Sequence, residues 1–132
     1  MKTHEAIAAL EALTKIAGSD KPMPLKFAYA AARNRRKLGE FVQVYEASRI
    51  ALLKQHGKKK EGSDELEIDD KGNVPLTDAA AFAKGMAVLD LNGEDVPDLK
   101  LHQVALADFP ADIDLGVMDA LLLMVLEEAA GA

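Results

Sequence analysis

The sequence predicts a mainly helical α+β domain, in which one long helix packs with three shorter helices and a small antiparallel sheet. Apolar residues recur at helical spacing along much of the chain. The hydrophobic content of 49% includes only 5% aromatic residues and no Trp, so aliphatic side chains dominate it. Such a composition favours helices packed through aliphatic stripes. Short alternating segments between the helices predict a sheet of two or three strands. With 132 residues, the chain fits one domain, 1–132.

The first helix is predicted over residues 3–17. Ile7, Leu10 and Leu13 recur at near-helical spacing, and Gly18 then interrupts the pattern. This amphipathic start carries an acidic residue in its first turn and is unlike a secretory signal, so we expect a cytoplasmic protein. The longest apolar run is far shorter than the ~20 residues that span a bilayer, and no membrane association is expected.

A long central helix is predicted over about residues 25–55, because no proline occurs from Leu25 to Gln55 and apolar positions alternate at steps of four and three. At ~1.5 Å per residue the helix is about 45 Å long. Asn34 and Ser48 weaken the apolar seam, and Gly57 ends the helix. The seam positions are Phe27, Ala31, Asn34, Leu38, Phe41, Tyr45, Ser48 and Leu52.

Residues 58–64 are predicted to form a mobile connector between a basic N-terminal half and an acidic C-terminal half. Residues 1–60 contain thirteen of the sixteen Lys and Arg residues against five acidic residues, and residues 61–132 contain three against seventeen. This polarity favours electrostatic pairing, either between the halves of one chain or between neighbouring chains. The sequence leaves both arrangements open.

The acidic half is predicted to contain the sheet and two helices. Alternating residues at 65–69, 73–76 and 98–102 predict its strands. Polar caps before apolar periodic segments predict the helices at 78–92 and 114–129.

Arg33, Arg36 and Lys37 are the strongest candidates for a binding site, because helical spacing puts them on one face of the long helix. Lys26 extends this basic surface. It can bind an anionic small molecule or an acidic partner, or it can be a solvated helix face. The net charge of −6 and the absence of an aromatic RNA-binding motif argue against general nucleic-acid binding.

The sequence nominates no catalytic, metal or cofactor site. The absence of cysteine excludes thiolate nucleophiles, Fe–S clusters and Cys-ligated zinc. Three histidines lack metal-ligand spacing, and Lys71 occupies a ligand position of the one segment that resembles a calcium loop. No glycine-rich phosphate loop or nucleophile elbow occurs. We therefore expect a protein that is not an enzyme and uses no cofactor.

The predicted helices carry more apolar surface than a chain of 132 residues can readily bury within itself, and this predicts a homo-oligomer. The long-helix seam and the apolar C-terminal helix are the candidate contact regions. The predicted interface residues are Leu38, Phe41, Tyr45, Leu52, Leu122 and Val125.

Four short segments resemble an uncharacterised family of small, mainly helical proteins from tailed siphophages and prophages. They are residues 23–29, 34–38, 45–49 and 53–57. The resemblance implies a phage-encoded protein that acts in the host cytoplasm, and it brings no established activity or functional residues. Together with the absent catalytic motifs, it predicts a non-enzymatic, self-associating interaction protein whose partner is a host or phage protein. The alternatives are an anti-defence protein that sequesters a nucleotide-like or other anionic small molecule, and a virion assembly component.

Overall fold

A computed structural model describes residues 1–126 of the chain. The chain forms two compact units. The first unit combines Met1–Val42 with the chain from Asp95 onwards, and the second unit is Gln43–Glu94. The α-helices of the described residues are α1 (Thr3–Ala17), α2 (Leu25–His56), α3 (Ala79–Leu89) and α4 (Leu115–Ala120), with short 3-10 turns at Leu91–Gly93, Leu106–Asp108 and Leu122–Met124.

The predicted long helix is confirmed, because α2 runs as one element from Leu25 to His56. Its seam is enclosed at Phe27, Asn34 and Leu38, each at most 2% exposed. Further along, at Tyr45 and Leu52, the seam is only partly buried. The boundary between the two units falls within this helix.

The predicted antiparallel sheet is wrong: no residue among 1–126 belongs to a β-strand. Isolated bridges occur between Gly57 and Leu76, Lys59 and Leu66, and Val104 and Val125. The Asp69 carboxylate accepts hydrogen bonds from the backbone N–H groups of Lys71 and Asn73, both at 2.9 Å, and so folds this segment into a tight turn.

The third predicted strand, 98–102, also fails, because helix side chains satisfy its backbone instead of a neighbouring strand. Asn34 of α2 pairs with the backbone of His102, and Lys37 donates to the carbonyl oxygen of Lys100. Asp98 has a positive φ of 60°, which departs from extended backbone. The alternation in this segment reflects the burial of Leu99 on one side.

The two later helices are shorter than predicted. α3 starts after its cap Asp78, as expected for the 78–92 segment, but ends at Leu89, since Leu91 and Asn92 adopt positive φ. α4 occupies only part of the predicted 114–129, whose last residues, 127–129, lie outside the described residues. Its continuation turns away because the backbone N–H of Leu126 donates to Val104 instead of to a helical carbonyl.

The first unit has an aliphatic core with one aromatic pair. Alanines of α1 leave space for close helix packing, and α1 and α4 are in contact. The rings of Phe27 and Phe109 lie 4.9 Å apart at 58° and anchor α2 to the C-terminal segment. The largest enclosed apolar side chains are Leu13, Phe27, Leu38, Leu121 and Met124.

Asp114 caps α4 and makes its stability depend on pH. Hydrogen bonds from the backbone N–H groups of Val117 and Gly116, together with the charge of Lys15, hold the pKa of the Asp114 carboxyl below its usual range. A lowered folded-state pKa means that this stabilisation is complete above the unfolded-state pKa of about 3.9 and is lost as the pH falls through the folded-state value.

Asp114→Ala is therefore expected to lower stability at neutral pH, with the difference from the native chain shrinking below about pH 4. Urea unfolding at several pH values measures this difference. Asp114→Asn is the matched control, because asparagine caps helices without titrating. The stability gap between the Asn and Ala variants should stay constant with pH, and a gap that follows pH would contradict the capping role.

The second unit is built around the end of α2 and the helix α3. A Cβ on Gly85 would lie 2.8 Å from a Leu52 methyl carbon, so the glycine permits the close approach of the two helices. The predicted connector, 58–64, pairs with the acidic residues that follow it: Lys58 with Glu67 at 3.4 Å and Lys60 with Glu65 at 3.6 Å. The mobility of this segment stays a prediction.

Candidate functional site

Cationic side chains from two distant segments of the first unit converge on one cleft, which we call the basic cleft. Its cavity volume is about 520 Å³. Arg33, Arg36 and Lys37 come from α2, and Lys100 comes from the loop before the Leu106–Asp108 turn. Glu40 is its acidic residue, and Asn34, Leu101 and His102 complete the lining. The arrangement concentrates positive charge within an acidic chain.

Asn34 fixes the loop segment against α2. Its side-chain amide donates to the His102 carbonyl oxygen at 2.9 Å, and its carbonyl oxygen accepts from the His102 backbone N–H at 2.7 Å. The Asn34 residue is only 2% exposed. A buried amide that satisfies both backbone groups of one residue sets the register of the loop, and so places Lys100 and His102 at the cleft.

Lys37 closes one side of the cleft, since its ammonium group donates to the Lys100 carbonyl oxygen at 2.8 Å. The bond fixes the Lys37 ammonium group beside the loop backbone at Lys100, although 63 residues separate the two in sequence. A cation held in place at the cleft raises the local positive potential, which favours a bound anion.

Arg33 and Arg36 differ in their surroundings. The Arg33 guanidinium donates to the Tyr29 hydroxyl at 2.9 Å and lies 5.5 Å from the centre of that ring. Arg36 forms an ion pair of 3.7 Å with Glu40, and both side chains are largely exposed, at 86% and 74%. Such an exposed ion pair contributes little free energy, so the Arg36 side chain can leave Glu40 and bind an anion with only a small loss.

The structure brings three of the four predicted anion-binding residues together. Arg33, Arg36 and Lys37 line the basic cleft, as their common helix face predicts, whereas Lys26 lines an adjoining cleft. Sequence reasoning missed Lys100 and His102. Lys100 is one of only three cations in the acidic half, but the alternation around it predicts a strand instead of a binding loop.

The predicted interface residues are not gathered on one exposed surface. Leu38 is fully enclosed within its own chain, and Leu122 is 56% exposed. Phe41, Tyr45, Leu52 and Val125 are partly buried.

In the second unit, burial raises the pKa of the Tyr45 hydroxyl, and the neighbouring Asp90 carboxylate raises it further. The hydroxyl therefore stays protonated and can donate to Asp90, which links α2 to the end of α3.

A more apolar cavity of about 300 Å³ lies between the end of α1 and the start of α4. Ile16, Met23 and Val117 contribute apolar surface, while Lys15 and Asp114 contribute opposite charges at its lining. Its mixed charge selects no ligand class, unlike the basic cleft.

No protein-family model matches this chain, and neither a curated protein nor a solved structure is significantly similar to it. The siphophage origin, the action in a host cytoplasm and the virion assembly alternative therefore stay predictions. No helix within residues 1–126 is both long and apolar enough to cross a membrane.

Proposed function

We propose that this protein captures an anionic small molecule in the basic cleft. The observation that carries this proposal is the convergence of Arg33, Arg36, Lys37 and Lys100 on one cavity that includes a single carboxylate, Glu40. Guanidinium and ammonium groups stay charged at neutral pH and donate several hydrogen bonds each, which suits a phosphate or carboxylate ligand.

The limited extent of the site favours a small ligand over a nucleic acid. A nucleic-acid backbone needs an extended basic surface, whereas these four cations line one open cleft of about 520 Å³. The remainder of the chain is acidic enough to give a net charge of −6, which repels a long polyanion. We propose capture without turnover.

Substitutions at Arg36 and Glu40 should change anion affinity in opposite directions. Arg36→Gln removes one cation and is expected to weaken pyrophosphate binding about fivefold, equivalent to about 1 kcal/mol for an exposed group. Glu40→Gln removes the competing carboxylate and is expected to tighten binding by about two- to fivefold. Isothermal titration calorimetry in metal-free buffer at low salt measures both changes.

Arg35→Gln is the matched control, because Arg35 lies on the same helix and the substitution removes the same charge, yet this residue does not line the cleft. The pyrophosphate affinity of this variant should stay near that of the native protein. Equal losses for Arg35→Gln and Arg36→Gln would mean that only net charge matters, and no binding of pyrophosphate, phosphate or citrate would refute the proposed function.

A second candidate function is self-association through the second unit. Among residues 43–94, Gly57 is the only buried residue, and Val44, Ile50 and Val88 are exposed by 68%, 42% and 67%. At 100° per residue, an arc of about 120° on α2 contains Val44, Ala47, Ile50 and Ala51, together with the polar residues Gln43 and Lys54. We propose that the same arc of a second copy covers these exposed apolar side chains, with the two polar residues able to reach solvent from the contact.

Val44→Glu combined with Ile50→Glu should abolish this association, because each copy would bring carboxylates to the apolar contact. Light scattering at tens of micromolar measures the mass. Ile68→Glu is the control, since Ile68 is exposed by 64% but lies outside α2. A native protein that is already monomeric at this concentration would exclude self-association.

A further inference from the structure

A second, smaller cleft adjoins the basic cleft, and the two share His102 as a lining residue. The adjoining cleft has a volume of about 240 Å³. Tyr29, Gln103, Asp108 and Lys26 contribute to it. Both clefts belong to the first unit. A ligand that extends past His102 would contact both clefts, and the chemistry of the clefts defines the two ends of such a ligand.

The two clefts differ in charge. The basic cleft contains four cations and one carboxylate. In the adjoining cleft Lys26 and Asp108 offset one another. A ligand that spans them should carry concentrated negative charge at one end and a nearly neutral group at the other.

Aromatic side chains mark the junction. The Tyr29 and His102 rings meet edge to face with centres 6.0 Å apart, and Tyr29 is 56% exposed. Tyr29 also accepts the hydrogen bond from Arg33, so the ring and the cationic group are held together. Exposed aromatic side chains beside a cationic group favour a ligand in which a planar aromatic group is joined to an anionic group.

Polar groups in the adjoining cleft can bind the edge of a heterocycle. The Asp108 carboxylate accepts hydrogen bonds from N–H groups, and the Gln103 amide both donates and accepts. Nucleobases present such donors and acceptors around a planar ring. Inorganic phosphate or pyrophosphate could use only the basic cleft.

We infer that the ligand is a nucleoside phosphate, with its phosphates in the basic cleft and its base in the adjoining cleft beside Tyr29 and His102. This inference rests on the proposed function and names its ligand class. The two volumes together are of the order that small-molecule ligands occupy in proteins.

The test compares pyrophosphate with ADP, GDP, CDP and UDP by calorimetry on the full chain in metal-free buffer. At least one nucleoside diphosphate is expected to bind ten or more times more tightly than pyrophosphate. Tyr29→Leu and Tyr29→Phe both remove the hydroxyl that accepts from Arg33, so any effect on pyrophosphate affinity is common to the two variants. Tyr29→Leu should reduce the ratio to about one, and Tyr29→Phe should keep it because it retains the ring.

Asp108→Asn gives a second test that does not depend on Tyr29 or on its bond with Arg33. It should weaken the preferred nucleotide at least threefold and leave pyrophosphate unchanged. If all four nucleotides bind no better than pyrophosphate, the nucleoside inference is wrong while the proposed anion site stands. If pyrophosphate and the nucleotides all fail to bind, the proposed function fails as well.

Discussion

Replacing Asn34 with leucine is expected to lower the free energy of unfolding by about 2–3 kcal/mol, because two backbone groups of His102 lose their partners. Each unsatisfied buried group costs about 1–3 kcal/mol, and partial access of water to this loop keeps the sum near the lower end. The leucine side chain has the same number of non-hydrogen atoms and the same branching as that of asparagine, so lost packing contributes little. Urea unfolding at neutral pH measures the change.

The same substitution should also impair anion binding, since the Asn34 amide holds the loop that carries Lys100 and His102 to the cleft. A large loss of pyrophosphate affinity in protein that is still folded would separate this positioning role from stability. Asn34→Asp tests the geometry further: aspartate keeps the acceptor for the His102 N–H but turns a carboxylate oxygen toward the His102 carbonyl.

Ser48→Ala is the matched control for removing a polar group from α2. The Ser48 hydroxyl donates to the Val44 carbonyl oxygen within the same helix, at an exposed position. The helix carbonyl keeps its other partners, so the expected change is within about 0.5 kcal/mol. If Asn34→Leu were as mild as Ser48→Ala, the loop would not depend on the amide.

Helical periodicity was sufficient to predict α1 and α2, because each exposes one face to solvent and buries another over many turns. The prediction misjudged what Asn34 does in that pattern. Asn34 looked like a defect in an apolar seam, yet it is buried and bonded to the loop. A side-chain amide in a helix face cannot be distinguished from a packing defect until its partner, 68 residues away, is known.

Alternation was a poor guide to the sheet. Apolar residues at every second position indicate only that one side of an extended segment faces the core. They do not specify which groups form hydrogen bonds with the backbone. Around residues 98–102 the partners are side chains of α2, which the local sequence does not reveal. Near residues 65–76 the Asp69 turn intervenes, and bridges form with the chain after α2.

Only the part of the basic cleft that lies on α2 could be predicted from the sequence, for a related reason. Arg33, Arg36 and Lys37 are neighbours on one helix, and helix geometry alone places them together. Lys100 reaches the cleft through a tertiary contact across 63 residues, so neither its spacing nor its charge could assign it there. The adjoining cleft depends on the same contact.

Gly57→Ala is expected to destabilise the second unit by about 2–3 kcal/mol through overpacking. A Cβ at Gly57 would meet the carbonyl oxygen of Leu53, the Leu66 side chain at 2.8 Å and the Val74 side chain at 2.9 Å. The Leu53 oxygen belongs to the backbone of α2 and already accepts the Gly57 N–H at 2.6 Å, so it cannot move without disturbing the helix end. The two side chains could move only by opening the contact that packs the 66–74 segment on α2.

Gly39→Ala, inside α2, is expected to have the opposite effect on stability. No atom lies within 4 Å of a Cβ at Gly39, and glycine in a helix interior is less favourable than alanine by about 1 kcal/mol, so this variant should be more stable than the native protein. Chemical unfolding of the two variants measures how the same added methyl group changes the free energy of unfolding at each position. Gly57 follows the last residue of α2, so alanine gains no helix propensity there, and a loss of stability at Gly57 beside a gain at Gly39 indicates the steric contact. Equal stabilisation at both positions would show that the helix end and the 66–74 segment are not packed together through this glycine.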